Sequence, residues 1–295
     1  MLVALLTLTG ALALVAAREA GSSTSSSTPA TQQSNPVHYR HIERVAPPLH
    51  IHVITVDLTD PRVRVRVCPG GEDPDGPGPW QTRLRTVRET AEQQQLVCAV
   101  NGNFFGAKEA RQLFGRTIPY FKDNPARVWG WAMTNGKLWG DEAGSRYALM
   151  VHRDRHVTIA HVPGDLPADA EQIVGGSELL VTDGKVSTKG NDRAPRTAIG
   201  IDRAGKTLFF VVVDGRDLEY STGLASHELA AELVTLGCHQ ALMLDGGGSS
   251  TMVLMDDIEN VLRVMNRPSD GHDLPMKLSL ERPVADVVGV EVGSR

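Results

Sequence analysis

Residues 207–250 read TLFFVVVDGRDLEYSTGLASHELAAELVTLGCHQALMLDGGGSS. Thr207 to Val213 is a nearly continuous apolar run of strand length, and it ends on Asp214-Gly215-Arg216. Ser226 stands where a helix N-cap belongs. Leu229, Leu233 and Leu236 follow at i, i+4 and i+7, and Gly237 stops the helix. A second apolar run, Ala241 to Leu244, ends on Asp245. Strand, helix and strand in this order predict two parallel strands joined by a right-handed crossover. Asp214 and Asp245 then leave the sheet at one edge. If the strands are neighbours, a spacing of about 4.8 Å puts both carboxylates within reach of one ligand. The expected fold class is α+β, a mixed central β-sheet flanked by helices in a single domain, with this strand-helix-strand unit carrying the site.

Beyond Asp245, the residues Gly246, Gly247 and Gly248 can adopt positive φ and let a ligand approach the backbone. Their amides, with the hydroxyls of Ser249 and Ser250, suit an anion. No lysine follows the glycines, and the residues after Thr251 read as strand. The run is therefore not a nucleotide phosphate loop, which needs G-x-x-x-x-G-K-[ST] opening a helix. The plainer reading is a glycine-rich hairpin with a capping aspartate.

Upstream, strand 196–201 and strand 207–213 flank the turn Asp202 to Lys206 and read as an antiparallel hairpin. That pairing sets Arg196 beside the end of the second strand, at the same edge as Asp214. Thr86-Val87-Arg88-Glu89 has the capping-box pattern, so a helix runs from Thr86 to about Gln95. Leu96 to Val100 follows as a buried strand and ends on Asn101-Gly102-Asn103. Polar groups at the carboxyl end of a buried strand are where α/β folds place binding sites. Residues 106–127 carry Lys108, Arg111, Arg116, Lys122 and Arg127 among aromatics, and read either as a basic flap or as a solvated loop. Strands 49–58 and 62–67 alternate with period two, so His50 and His52 share a strand face that needs no metal. Asn135-Gly136 is a hairpin signal.

The 295 residues are 41% hydrophobic and 22% charged, enough apolar material for a sizeable core. A net charge of −5 argues against a nucleic-acid partner. Three cysteines are too few for a disulfide framework; Cys98, in an apolar run, reads as a buried thiol. Residues 1–17 read as a signal peptide, with an uncleaved membrane anchor as the alternative. Residues 18–36 are a Ser/Thr-rich disordered linker, and 37–295 form the folded domain. No metal or other cofactor is expected, and nothing in the pattern sets the oligomeric state.

Six motifs occur in order: Ala99 to Phe105 (AVNGNFF), Pro195 to Gly200 (PRTAIG), Val213 to Arg216 (VDGR), Leu244 to Met252 (LDGGGSSTM), Asn266 to Gly271 (NRPSDG) and Glu281 to Ala285 (ERPVA). Together they resemble the phosphodiester glycosidase family, over residues 50–291. The resemblance implies a hydrolase acting on a glycan or sugar-phosphate substrate, and the apolar residues 2–17 predict that it is exported, secreted or held at the cell envelope. It would cleave the anomeric C–O bond of a sugar-1-phosphodiester to give free sugar and a phosphomonoester. On this view Asp214 and Asp245 activate water and stabilise an oxocarbenium-like centre. Arg196 and Arg216 hold the phosphate with the Gly246 to Gly248 amides, and Asn101 and Asn103 orient sugar hydroxyls. Glu178, Asp270 and Glu281 are secondary candidates. The plainer readings are a turn-capping Asp214 and a core-edge ion pair at Arg196. Two other functions stay open: a metal-assisted phosphodiesterase cutting the P–O bond, and an envelope glycan-binding module without catalysis.

Overall fold

The computed structural model describes residues 35–113, 115–141, 146–271 and 278–293. The apolar run 2–17 and nearly all of the 18–36 linker lie outside them. Short antiparallel strands build the described chain, twenty-two of them against two α-helices, Val87–Gln93 and Ser226–Leu236. This corrects the α+β expectation, because no helical layers flank a mixed sheet. Helical periodicity is confined to those two segments. Elsewhere, short apolar runs broken by turn residues favour hairpins, as at Asn135 and Gly136, both with positive φ. No helix among the described residues is long and apolar enough to cross a membrane.

A seven-stranded sheet forms the centre. Its order is Val37–Val45, Pro48–Asp57, Thr207–Val213, Arg196–Asp202, Cys238–Met243, Leu179–Thr182 and Lys185–Val186. Every neighbouring pair in it is antiparallel. Strands Thr207–Val213 and Cys238–Met243 do run parallel to each other, but Arg196–Asp202 lies between them and pairs with both. Asp214 and Asp245 thus emerge at one edge two strand spacings apart, on the order of 10 Å rather than one spacing. Arg196 pairs with Val213, so the arginine sits between the two ends.

Strand alternation sends side chains to both faces of this sheet. Ile54, Ile199, Phe210 and Leu242 join Leu149 and Val174 of one five-stranded sheet, and Val67, Val100 and Val288 of another, in a shared core. On the opposite face Phe209, Val211 and Met243 pack against Leu229 and Leu233 of helix Ser226–Leu236. Gly237 closes that helix at φ 103°, and Ala225, not Ser226, occupies its N-cap. The second five-stranded sheet, ordered Val261–Val264, Met252–Asp256, Cys98–Asn101, Asp286–Val292 and Val63–Pro69, covers its outer face with helix Val87–Gln93. Thr86 and Glu89 form the expected capping box there. The site lies where the ends of this sheet meet the edge of the seven-stranded one.

Candidate active site

Asn101 is the joint between the two sheets. Its side-chain amide donates to the Asp245 carbonyl at 2.6 Å, and its oxygen accepts from Thr197 Oγ1 at 2.8 Å and from the Thr251 amide at 3.2 Å. Asn103 is equally committed: its amide donates to the Trp131 carbonyl, its oxygen accepts from the Gly175 amide, and its backbone N–H donates to Asp286 Oδ1 at 2.8 Å. Both asparagines are fully buried. They hold the turns on which other groups sit, and their amides are spent on protein partners instead of facing a sugar.

The turn itself starts at Asp245, which is half-buried. Its Oδ1 accepts the Gly246 amide at 2.9 Å. Gly247 N–H donates to the Pro195 carbonyl at 2.8 Å, and the amides of Ser249 and Ser250 close onto the Gly246 and Gly247 carbonyls. The glycine amides are therefore largely spent within the turn, leaving Gly248 N–H as the one of the five without a partner among the described residues. Cations supply what the amides do not. Gly247, at φ 62°, lies under the Arg216 guanidinium, where an added Cβ would come within 2.8 Å of Nη2. Gly248 leaves no room for a Cβ against the Arg282 guanidinium. Positive φ favours glycine at Gly247, and at both positions the missing Cβ lets the turn lie against an arginine.

Arg216 is exposed and, among the described residues, has no hydrogen bond or ion pair. Arg282 is held from behind by Asp270 at 2.8 Å and lies over the Tyr120 ring, 4.1 Å from its centroid. Residues 106–127 thus reach the site through an aromatic ring, while Lys122 and Arg127 pair with Glu89 and Asp141. Arg196 donates from Nε to the Leu224 carbonyl at 3.1 Å and from Nη2 to the Asp192 carbonyl at 2.6 Å. Burial lowers its pKa, with Glu178 and Asp192 opposing the shift.

Burial pushes the Asp245 carboxyl up to about 6, against the pull of Ser249, Arg282, the Gly246 amide and Arg216. The Ser249 hydroxyl is buried with no hydrogen-bond partner among the described residues, and it lies near enough to pull that carboxyl down. Behind Gly102 stands Asp286, fully buried, with Oδ2 unpartnered. Burial, with a smaller contribution from the charge of Asp245, drives it up to about 7. Arg282 lies in the ERPVA motif and Asp286 just beyond it, and neither was singled out from the sequence. An arginine or aspartate far along the chain carries no local sign of the turn that it will face.

Asp214 is only 1% exposed. Its carboxylate accepts from Asn266 Nδ2 at 3.0 Å, from the Arg267 amide at 3.0 and 3.1 Å, and from Tyr220 at 3.3 Å, and it pairs with His52 Nε2 at 3.0 Å. Asn266 in turn donates to the Ser250 carbonyl at 3.0 Å. Asp214 therefore reaches the glycine turn through Asn266. Of the secondary candidates, Asp270 backs Arg282, Glu178 accepts from Thr188 at 2.6 Å beside Arg196, and Glu281 pairs with Arg88. The three cysteines are buried free thiols with raised pKa values. Cavities elsewhere, such as that of about 590 Å³ lined by Trp139, Leu138 and Pro77, share none of these residues.

Residues 94–291 match the family model for the phosphodiester glycosidase domain. The chain belongs to the phosphodiester glycosidase family. Among curated relatives of the family, it is 29% identical over 206 residues to human N-acetylglucosamine-1-phosphodiester alpha-N-acetylglucosaminidase, covering 62% of this chain and 36% of the relative. It is 34% identical over 100 residues to the SPbeta prophage-derived uncharacterized protein YomE of Bacillus subtilis (strain 168), covering 34% of this chain and 13% of that protein. The chain thus spans little more than a third of the human protein. Two solved structures share the fold. The zebrafish N-acetylglucosamine-1-phosphodiester alpha-N-acetylglucosaminidase catalytic domain, auto-inhibited by its pro-peptide, superposes with a TM-score of 0.62 at 22% identity, covering 90% of this chain and 85% of that one. A putative exported protein of Burkholderia pseudomallei K96243 gives 0.56 at 17% identity, covering 83% and 74%.

Proposed function

We propose that this chain hydrolyses a sugar-1-phosphodiester at the anomeric C–O bond, releasing free sugar and a phosphomonoester. The supporting observation is one half-buried carboxylate, Asp245, in the electrostatic reach of two guanidiniums, Arg216 and Arg282, which lie against the adjoining glycine turn. The leaving group is a phosphomonoester with a second pKa of about 6, so it needs charge neutralisation more than a proton. Arg216, unpaired among the described residues, and Arg282, held by Asp270, are the cations for that task, while Arg196 lines the rim from its carbonyl anchors. Asp245 activates water or stabilises positive charge at the anomeric carbon. Asp214, with its carboxylate enclosed by donors, is a positioning residue for the Asn266-Arg267 segment in this reading. Asn101 and Asn103 position the turn and Asp286 in the same way. Export belongs to the reading too, resting on the apolar run of residues 2–17, and residues 37–295 are its catalytic domain.

Attack at phosphorus would set a carboxylate against an anionic phosphodiester. Hydrolysis in ¹⁸O-labelled water distinguishes the two bonds, if both products are analysed before the sugar exchanges its anomeric oxygen. Label in the sugar is the expected result. Label in the phosphomonoester overturns the proposal and favours a phosphodiesterase.

A further inference from the structure

We propose that the amino-terminal hairpin carries a binding site for a divalent transition metal of the zinc class, formed by His41, His50 and Glu43. The hairpin register sets His41 opposite His52 and Glu43 opposite His50, so one face gathers three imidazoles and a carboxylate. His50 and His52 were expected on a shared face from their spacing. His41 and Glu43 join them only through the pairing.

His41 Nε2 and His50 Nδ1 face each other at 3.0 Å. Two imidazole nitrogens that close share one proton, and a metal ion can replace it with a lone pair from each ring. Metal–nitrogen bonds of about 2.0–2.1 Å span such a gap after a slight opening toward tetrahedral geometry. Glu43 Oε1 lies 3.1 Å from His41 Nδ1, the arrangement in which a carboxylate fixes the tautomer of a ligating histidine. Ligand atoms of the three residues all lie within 4.8 Å of one another, so a turn of the exposed carboxylate away from His41 Nδ1 would bring it to the metal as a third ligand.

The rings are held in place before any metal arrives. His41 stacks on His52 at 4.4 Å, and His50 stacks on Tyr220 at 3.8 Å. The side chain of His41 is 28% exposed and that of Glu43 64%, which leaves an open side for water to complete the coordination. Two imidazoles with one carboxylate match zinc, copper or nickel better than calcium or magnesium, which take oxygen ligands. A metal here would clip the two strands of the hairpin together. The inference stands independently of the glycosidase reading.

The test uses the chain without a polyhistidine tag, stripped with a chelator and titrated calorimetrically with ZnCl₂ at about pH 7.5, where unperturbed imidazoles are neutral. One saturable equivalent is expected, lost in His41→Gln and in His50→Gln, and weakened about tenfold or more in Glu43→Gln. Cobalt loading should give the visible bands of a nitrogen-ligated ion in the wild type and not in His41→Gln. Should His50→Gln melt below the metal-free wild type, the more exposed His41 carries the test. No saturable equivalent overturns the proposal. So does binding undiminished in the variant carrying both His41→Gln and His50→Gln, which would assign it elsewhere, for instance to the stacked His152 and His156.

Discussion

A carboxyl group out of water with one oxygen unpaired is costly to keep charged, and Asp286 is such a group. Its pKa of about 7 lies far above the ordinary 3.8, so between those values the folded chain binds a proton that the unfolded chain releases. Stability from this group is therefore full at low pH and is lost as pH rises through about 7. Asp245, pushed to about 6, acts in the same direction. Asp286→Asn imitates the protonated form and keeps an acceptor for the Asn103 amide. Its melting temperature relative to wild type should therefore climb between about pH 5 and about pH 8. A difference that stays constant across that range would mean that Asp286 does not titrate there. Asp245 and Arg216 could be singled out in the sequence because they sit at the ends of recognisable runs. Arg282 and Asp286 could not, since what they face is set by the fold, and burial gives the side-chain amides of Asn101 and Asn103 protein partners that no local pattern shows.

Asp214 shows what the elements around the site do. The residue ends strand Thr207–Val213, and its carboxylate gathers donors from strand Pro48–Asp57, the Tyr220 turn and the Asn266-Arg267 segment. Asp214→Asn replaces one acceptor with a donor among those donors. The expected cost is about 1–3 kcal/mol, and melting falls by about 2–4 °C for each kcal/mol in a domain of this size. Loss of activity with unchanged melting would instead place Asp214 in the chemistry. The strand–helix–strand unit was legible because its apolar runs, helix period and Gly237 stop are local. Whether its two strands were neighbours was not. Parallel strands separated by a third also emerge at one edge, and only long-range pairing distinguishes the cases. The hairpin with strand 207–213 did place Arg196 correctly, since a short turn sets register locally.

For the whole molecule, the α+β expectation gave one helical crossover too much weight. Alternating runs such as Pro48–Asp57 and Val63–Pro69 were read individually as strands, but nothing local shows that five sheets will form or that two of them share a core with the central one. The ordered motifs carried family membership past that error, because they lie on turns and strand ends brought together at one edge. In the proposed reaction Asp245, on that edge, is the reacting carboxylate, and kcat/KM for a sugar-1-phosphodiester in wild type and Asp245→Asn tests this role. Wild-type kcat/KM should rise with pH through about 6 as the carboxyl ionises. The variant should lose about 10²–10⁴-fold with no fall in melting temperature, and still be inhibited by the phosphomonoester product because Arg216 and Arg282 remain. A folded Asp245→Asn protein with wild-type kcat/KM would remove Asp245 from the chemistry.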